Sequence, residues 1–487
     1  MLTNSRNARY LGASDRTPIQ NPVELMTLTL DLGEFLQNIR FNHVPDEAIP
    51  LVIDAFTDTI GVIMAGAHEP IVSVLQKELA SSTGRDGVRA CLSDVRVAPA
   101  QAALIGGAAA HALDYDDQAL TGHPSAVLVP AILAEAEVLG SSGRDMITAY
   151  MAGYEVWAEL VGRGRNYHAK GWHPTSVFGV IATAAAIAVL HRLPAEQAAS
   201  ALAIAASHAS GLSVNFGTMT KPYHAGMAAR DGLISARLAA RGATGSSVAL
   251  EAPKGFLNAF SLDGNADLDS PSLAGKEWRI LSHRLCIKRY PTCYFMHRSF
   301  DALVSLLKDN PVRPEDVADV EMRMSKGQAT VLVYTHPVSG LEAKFSGQFA
   351  MAAAVILGRM GVNEVTTEVA TRQDFQDFYG KVRITAIEAY DTRDPAHSPS
   401  DRVKVTLKDG RVLDTGEVVQ IKGHAFDPLT HDELWAKFRE CTERTHSLED
   451  ARSLFDSTRR LVEITTTHDL PTAVGVLTPV RLSAANA

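Results

Sequence analysis

The chain has 487 residues, of which 46% are hydrophobic and 21% are charged, and its net charge is −9 at pH 7. This length is enough for two or more domains with a large buried core. No basic stripe is present, which argues against nucleic acid as a partner. The four cysteines form no CxxC pair, which is typical of a reducing compartment. No apolar segment looks like a signal peptide or a membrane span, so we expect a cytoplasmic protein that does not bind membranes.

The first half of the chain is predicted to be helical. Residues 1–22 are polar and are expected to be a loose segment. Apolar periodicity, alanine content, and proline and glycine signals then predict helices over 46–64, 99–113, 124–139, 144–161, 174–190, 194–210 and 222–240. Several of these segments are apolar on all sides, which predicts a thick helical core.

The pattern changes near residue 278. β-Branched content and alternation predict strands over 278–293, 316–325, 381–391 and 401–421, the last with an Asp-Gly hairpin turn. Helical stretches at 299–307 and 342–357 lie between them. A capping box at 430–433 opens another helix, and 448–462 continues helical. The fold is therefore predicted to be mainly α, with an all-α domain formed by 23–277 and 425–487 and a smaller α+β domain, 278–424, inserted into it.

A basic residue stands directly before a proline at three predicted helix starts, His123-Pro124, His173-Pro174 and Lys221-Pro222. Proline favours the first helical position and forces the preceding residue into extended geometry, so the basic residues are predicted at helix N-caps. Backbone N–H groups and the positive end of the helix dipole favour anions there, and they keep a histidine neutral near pH 7. A single basic residue before a proline is more often an ordinary helix cap or surface residue. Three of them at helix starts predict an anion-binding site.

Upstream of His123, the run Asp114-Tyr115-Asp116-Asp117 crowds three carboxylates together. These acids can be ordinary turn or capping residues. Alternatively, like charges raise the pKa of one member into a range suited to acid–base catalysis. Asp114, at the helix end, is the best candidate for a buried member.

Further candidate site residues lie later in the chain, and for each of them an ordinary structural role stays open. Lys221 ends a small-residue loop and is followed one turn later by His224. Lys288 and Arg289 are cations at a predicted strand end, and Cys293 beside them is more typical of a structural cysteine. Further on, His297 begins a predicted helix and Tyr334 is a possible proton donor.

Several cofactor motifs are absent from the sequence. It has no HExxH, no GxSxG, no P-loop, no strand–GxGxxG–helix and no cysteine trio able to hold an iron–sulfur cluster. The histidines lack zinc-ligand spacing, and a metal held by separated residues such as His123 and Asp114 is the weaker alternative. We therefore expect an enzyme without a cofactor or metal.

At these residues the chain resembles the 2-methylcitrate dehydratase/cis-aconitate decarboxylase family, called MmgE/PrpD. The resemblance rests on HALDYDD…GHPSAVLVPA, GWHPTSVFG, NFGTMTKPYHAGMAARDG, KRYPTCYFMH and LEAKFS, which follow in the family's order from about residue 50 to 460. It implies a large all-α domain, a smaller α+β lid, an active site between them and a homodimer. The site residues it implies are Asp114, His123, His173, Lys221, His297 and Tyr334.

The resemblance leaves three reactions open, because members dehydrate methylcitrate, decarboxylate cis-aconitate or epimerise an iminodisuccinate. Residues 118–122 differ from the link found in some decarboxylase members. We therefore expect a dehydratase of a small di- or tricarboxylate first, then an epimerase, then a decarboxylase. A non-catalytic carboxylate-binding protein is the remaining alternative.

In the predicted mechanism the three helix starts hold substrate carboxylates, and His173 or Lys221 removes the proton next to one of them. Asp114 orients a neighbouring histidine. His297 or Tyr334, on the lid, protonates the leaving hydroxyl. Substrate binding is assigned to Thr175, Thr220, His224, Lys288 and Arg289.

Overall fold

The computed structural model describes residues 27–79, 87–164, 167, 170–261, 264–391, 398–473 and 475–477. Its first half is helical. The helices are α1 Leu28–Asn38, α2 Ala48–Gly66, α3 Pro70–Glu78, α4 Pro99–Ala112, α5 Pro124–Leu139, α6 Gly143–Gly162, α7 Pro174–Leu190, α8 Ala195–Ala206, α9 Thr220–Ala240 and α10 Phe256–Phe260. Two short strands, β1 Val88–Arg89 and β2 Arg96–Val97, pair with each other. The loose segment predicted at 1–22 lies outside the described residues.

The later part of the chain mixes helices with a small sheet. Its helices are α11 Arg279–His283, α12 His297–Asp309, α13 Lys326–Ala329, α14 Gly340–Ala343, α15 Gly347–Ile356, α16 Thr367–Ala370, α17 Gln373–Tyr379, α18 His431–Thr442 and α19 Leu448–Arg459. Its strands are β3 Val317–Ser325, β4 Val382–Ile387, β5 Arg402–Leu407 and β6 Val412–Asp414. The sheet order is β4-β3-β5-β6, with β3 parallel to β4 and the other pairs antiparallel. The predicted class, mainly α with a small α+β part, is confirmed.

Two large hydrophobic cores and one small cluster, which joins Leu113 and Tyr115 to Val362 and Cys441, organise the described residues. The larger core combines residues 28–287 with residues 434–477, so α18 and α19 complete the bundle that the first half builds. The smaller core lies within residues 293–407, around β3, β5 and α15. The predicted division into two domains, with boundaries at 277/278 and 424/425, stays a prediction.

Helices α4 and α9 cross at glycines. A Cβ atom on Gly107 would lie 2.9 Å from the Cα atom of Gly226, and a Cβ atom on Gly226 would run into the carbonyl oxygen of Leu104. Side chains larger than hydrogen would therefore push the helices apart. The crossing matters because the candidate site forms between the C-terminal end of α4 and the first turn of α9.

Two sequence predictions are wrong in this region. The strand predicted over 278–293 is the short helix α11 followed by irregular chain, because the Glu155 carboxylate accepts the N–H groups of Arg279 and Ile280 and caps α11. The single helix predicted over 342–357 is two helices, α14 and α15. Ser346 caps the second one by accepting the N–H of Phe349.

Helix α2 is long and apolar enough to span a membrane, and it is the one such helix among the described residues. Most of it is buried inside the protein, where it packs against α4 and α18. These contacts are those of a core helix.

Candidate active site

Two of the three predicted helix N-caps are confirmed. His123 is the N-cap of α5 and His173 is the N-cap of α7, each with proline at the next position. Lys221 is not an N-cap, because α9 begins one residue earlier at Thr220. The Thr218 hydroxyl accepts the Thr220 N–H and its carbonyl accepts the Lys221 N–H, which starts the turn early. Proline is tolerated in a first turn, so Pro222 does not prevent this.

The three helix starts meet at one small cleft with a cavity volume of about 50 Å³. A cleft of this size excludes a macromolecular ligand. Predicted site residues that line it are Asp114, His123, His173, Thr175, Lys221 and Lys288. The Thr175 hydroxyl is buried in the first turn of α7 without a hydrogen-bond partner, so it is available to a ligand.

Asp114 lies between two ammonium groups. Its carboxylate pairs with Lys221 Nζ and lies 3.1 Å from Lys288 Nζ, and Lys288 also donates to the Asp114 carbonyl at 2.8 Å. Burial alone would raise the pKa of Asp114, but Lys221 and Lys288 outweigh it and hold the pKa well below its usual value. Asp114 therefore stays ionised. Its backbone is in the left-handed conformation, with φ 51°. Its role here is to hold two lysines in the wall of the cleft.

Asp116, rather than Asp114, orients the histidines. One Asp116 carboxylate oxygen lies 2.8 Å from His111 Nδ1 and 3.1 Å from His123 Nδ1, whereas Asp114 is 4.0 Å from His123 Nε2. Burial would raise the pKa of Asp116, but the two histidines hold it well below its usual value. The predicted orienting role of Asp114 is therefore wrong for this geometry, and it passes to Asp116.

The tautomer of His123 follows from its neighbours. Besides Asp116, its Nδ1 faces the carbonyl oxygen of Asp117 at 2.8 Å, and both oxygens can only accept a hydrogen bond. Burial lowers the pKa of His123 and Lys288 lowers it further, although Asp116 acts in the opposite direction. The ring is therefore neutral near pH 7, with its proton on Nδ1. The lone pair of Nε2 is free to accept a proton.

The other histidines of the site are neutral as well. Burial lowers the pKa of His173 well below its usual value, with His111 and Lys221 adding to the effect. Burial and Lys221 lower the pKa of His224 to about 4. The Nδ1 atoms of His173 and His224 lie 3.2 Å apart, so one of them donates to the other. Neutral histidines were predicted from helix dipoles, but burial and nearby cations are the larger causes here.

The carboxylate with a raised pKa is Asp117. Burial raises the pKa of Asp117 to about 8, the charges of Asp58 and Asp116 add to the shift, and the Ser125 hydroxyl opposes it. Crowding of like charges thus acts as predicted, but on Asp117 and not on Asp114. Asp117 lies behind the cleft, bonded to Ser125, which also contacts the Tyr150 hydroxyl at 2.7 Å.

Five predicted residues lie away from the cleft lining. His224 stands behind His173. His297 is fully buried, and its Nε2 lies 3.1 Å from the Thr292 carbonyl oxygen. The Tyr334 hydroxyl donates to the Phe216 carbonyl at 2.9 Å, and Tyr334 packs against Gly217. Two of the five were predicted to bind substrate. Thr220 is exposed to solvent. Arg289 faces a different, larger cleft, where it lies 3.5 Å from Asp301. Substrate binding by Thr220 or Arg289 therefore has no geometric support.

Sequence reasoning missed part of the site. The Nδ1 atom of His111 contacts Asp116, its Nε2 is buried without a partner, and its ring stacks on His173 with centroids 5.5 Å apart. His111 stands three residues before Asp114 on the last turn of α4, a spacing that could have indicated it. Gln118, Thr121, Phe216 and Cys293 also line the cleft. Burial raises the pKa of the Cys293 thiol to about 11, which makes it a weak nucleophile.

Four ligand-type side chains of the site lie close enough to hold a metal ion, with one atom of each within 4.8 Å of the others: His111, Asp114, Asp116 and His123. Their chemistry does not fit a metal well. Asp114 is paired with two ammonium groups, and Asp116 is bound to two ring nitrogens. A cation there would meet Lys221 and Lys288 at close range. An ion-pair and hydrogen-bond network explains the cluster.

Comparison with known proteins matches the chain to two family models. Residues 30–269 match the MmgE/PrpD N-terminal domain and residues 290–461 match the MmgE/PrpD C-terminal domain. The chain belongs to the MmgE/PrpD family. The resemblance seen in the sequence is thereby confirmed, and this MmgE/PrpD protein is an enzyme that acts on carboxylates.

Relatives of this MmgE/PrpD chain include three cis-aconitate decarboxylases. The human protein is 28% identical over 90% of this chain and 93% of its own length. The mouse protein is 27% identical over 90% of this chain and 92% of its own. The protein from Aspergillus terreus is 23% identical over 85% of this chain and 88% of its own.

Proposed function

We propose that the chain is a lyase that dehydrates a small di- or tricarboxylate by removing a proton next to a carboxylate. The observation that supports this most strongly is that two acceptor oxygens face His123 Nδ1, which leaves Nε2 to accept a proton, in a cleft that also holds the ammonium groups of Lys221 and Lys288. A base beside two fixed cations suits the formation of an enolate-like carboxylate, whose negative charge needs preorganised donors.

In the proposed reaction a substrate carboxylate binds against Lys221, Lys288 and Thr175. His123 Nε2 takes the proton from the adjacent carbon, and the electron pair left behind forms the C=C bond as hydroxide leaves from the neighbouring carbon. His123 replaces His173 and Lys221 as our candidate base, because its tautomer is set by two acceptors. His173 is hydrogen-bonded to His224, and Lys221 forms an ion pair with Asp114.

The leaving hydroxide needs a proton, and an ammonium group of the cleft wall is our candidate donor. Lys288 is 1% exposed and lines the cleft, so it can reach a bound substrate without exposure to bulk water. The acids predicted from the sequence, His297 and Tyr334, do not line the cleft in this conformation. Tyr334 could take part only after leaving the Phe216 carbonyl.

A decarboxylase acting on an unsaturated tricarboxylate is the second candidate. It is favoured by the relatives, which are named cis-aconitate decarboxylases and align with 85–90% of this chain. Loss of CO₂ would leave a carbanion that the same two ammonium groups can stabilise. In this reaction the site must supply a proton to carbon rather than remove one.

The test is turnover of a panel of di- and tricarboxylates, including 2-methylcitrate and cis-aconitate, in D₂O with ultraviolet and NMR detection. A new conjugated C=C bond from a hydroxy acid supports dehydration, and CO₂ release from cis-aconitate favours the decarboxylase. Deuterium incorporation without an alkene indicates an epimerase. Binding without turnover of any compound would contradict the proposal. His123→Asn should abolish turnover, whereas His336→Asn, at an exposed histidine that does not line the cleft, should not.

A further inference from the structure

Three buried lysines from the C-terminal part of the chain donate to backbone carbonyls of one short segment in the N-terminal part. Lys344 Nζ lies 3.2 Å from the Ala112 carbonyl oxygen, Lys288 Nζ is 2.8 Å from that of Asp114, and Lys437 Nζ is 2.8 Å from that of Tyr115. This segment joins the end of α4 to the acidic residues of the site. We call residues 112–117 the acidic loop.

The acidic loop needs such donors. The carbonyl of Ala112 belongs to the last turn of α4, where carbonyls have no partner within the helix and nearby cations are favoured by the helix dipole. All six residues of the acidic loop are buried, so water cannot easily replace a missing donor. The loop also contains Asp114 in a left-handed backbone conformation, which surrounding contacts must maintain.

Lys437 is the donor farthest from the chemistry. It lies on α18, does not line the cleft and is 6% exposed. Its Nζ lies 2.5 Å from Asp58 on α2 and 4.2 Å from the centre of the Tyr115 ring. The Tyr115 hydroxyl in turn donates to Glu440, one turn further along α18, at 2.9 Å. Tyr115 is thus held at both its backbone and its side chain by one helix.

The two neighbours of Tyr115 carry the site. Asp114 holds Lys221 and Lys288, and Asp116 holds His111 and His123. A shift of the Tyr115 carbonyl therefore moves both carboxylates together. Misplacement of reacting groups by about 1 Å can cost on the order of 100-fold in rate.

We propose that Lys437 is a positioning residue, which fixes the acidic loop through the Tyr115 carbonyl and so sets the geometry of Asp114 and Asp116. The effect on turnover rests on the proposed function, but the effect on the loop does not. Helix α18, more than 300 residues away in sequence, is in this view part of the architecture of the active site.

The test compares Lys437→Met with Arg459→Met in the full-length protein. Arg459 also joins a C-terminal helix to α2, through Asp54, but it does not touch the acidic loop. Lys437→Met alone leaves the buried Asp58 carboxylate without its cation. We therefore include the double variant Asp58→Asn/Lys437→Met, which removes both charges and should fold better. The readouts are hydrogen–deuterium exchange of peptides covering 112–121, and kcat and KM on any substrate that the wild-type protein turns over.

We expect exchange in 112–121 to rise by about tenfold or more in both Lys437 variants, and kcat to fall by a similar factor with a smaller change in KM. Arg459→Met should leave that peptide and kcat unchanged. Wild-type exchange at 112–121 in the double variant would overturn the proposal, as would the same increase in Arg459→Met. If the wild type turns over no substrate, the proposed function fails, and the exchange data still decide the role of Lys437.

Discussion

At His123 the ring nitrogen Nδ1 faces two oxygen atoms that can only accept, so the tautomer and the free lone pair are fixed together. The carboxylate of Asp116 that supplies one acceptor is shared with His111. A base positioned in this way needs no rearrangement before it takes a proton.

The pH dependence of turnover follows from the lowered pKa of His123. An ordinary histidine has a pKa of 6.5, and here burial and Lys288 place the pKa below that value. The base must be neutral, so kcat/KM should stay level as the pH falls through 6.5 and decline only in more acidic solution. A pH profile measured from pH 4.5 to pH 8 checks this. An acid limb centred at or above pH 6.5 would show that His123 is not the base.

Asp117 should make stability fall as the pH rises. Its pKa is raised by burial to about 8, above the usual 3.8, so the folded state holds the proton more tightly than the unfolded state. Stability from this group is fully present below about pH 4 and is lost between pH 4 and pH 8, on the order of 1 kcal/mol per pH unit. Asp117→Asn should flatten that slope in urea unfolding experiments. Asp269→Asn, at an exposed aspartate, is the control and should leave the slope unchanged.

At the scale of helices, the site depends on how closely α4 and α9 approach each other. The end of α4 leads into Asp114, and the first turn of α9 carries Lys221. Gly107 and Gly226 allow the two backbones to meet between these ends. The glycines thus connect the packing of the core with the ion pair at the cleft.

Gly226→Ala should therefore reduce both stability and activity. Alanine gains about 1 kcal/mol of helix propensity over glycine, but the added methyl group would meet the Leu104 carbonyl, and overpacking costs about 1–3 kcal/mol. We expect a lower melting temperature and a larger loss in kcat/KM than in a control at Gly162. A Cβ atom on Gly162, the last residue of α6, would meet nothing within 4 Å. Equal behaviour of the two alanine variants would contradict this account of the crossing.

At the scale of the whole molecule, local signals predicted the helices well and the site only in part. Pro124 and Pro174 mark the starts of α5 and α7 directly, because proline acts on its own neighbours. The strand predicted over 278–293 failed because Glu155, more than 120 residues earlier, caps a helix there. The orienting role of Asp116 was also out of reach, because it depends on α4 and α5 bringing His111 and His123 together.

The C-terminal helices show the same limit. Their return to the first half of the chain was predicted from their helical pattern, but the contact of Lys437 with the acidic loop was not. A buried lysine cannot be told from a solvated one when its partner is more than 300 residues away. The homodimer that the resemblance implies stays a prediction, and light scattering of the purified protein would test it.

In the proposed reaction, His123 Nε2 removes a proton next to a substrate carboxylate in this cleft. The most direct measurement is the rate of that proton's loss in D₂O, followed by NMR on a turned-over polycarboxylate, for the wild type and for His123→Asn. Asparagine keeps a donor toward the acceptors at Asp116 and Asp117 and removes the base. We predict a fall of about 100-fold or more, the usual contribution of a general base. Proton loss at the wild-type rate in His123→Asn would contradict the account.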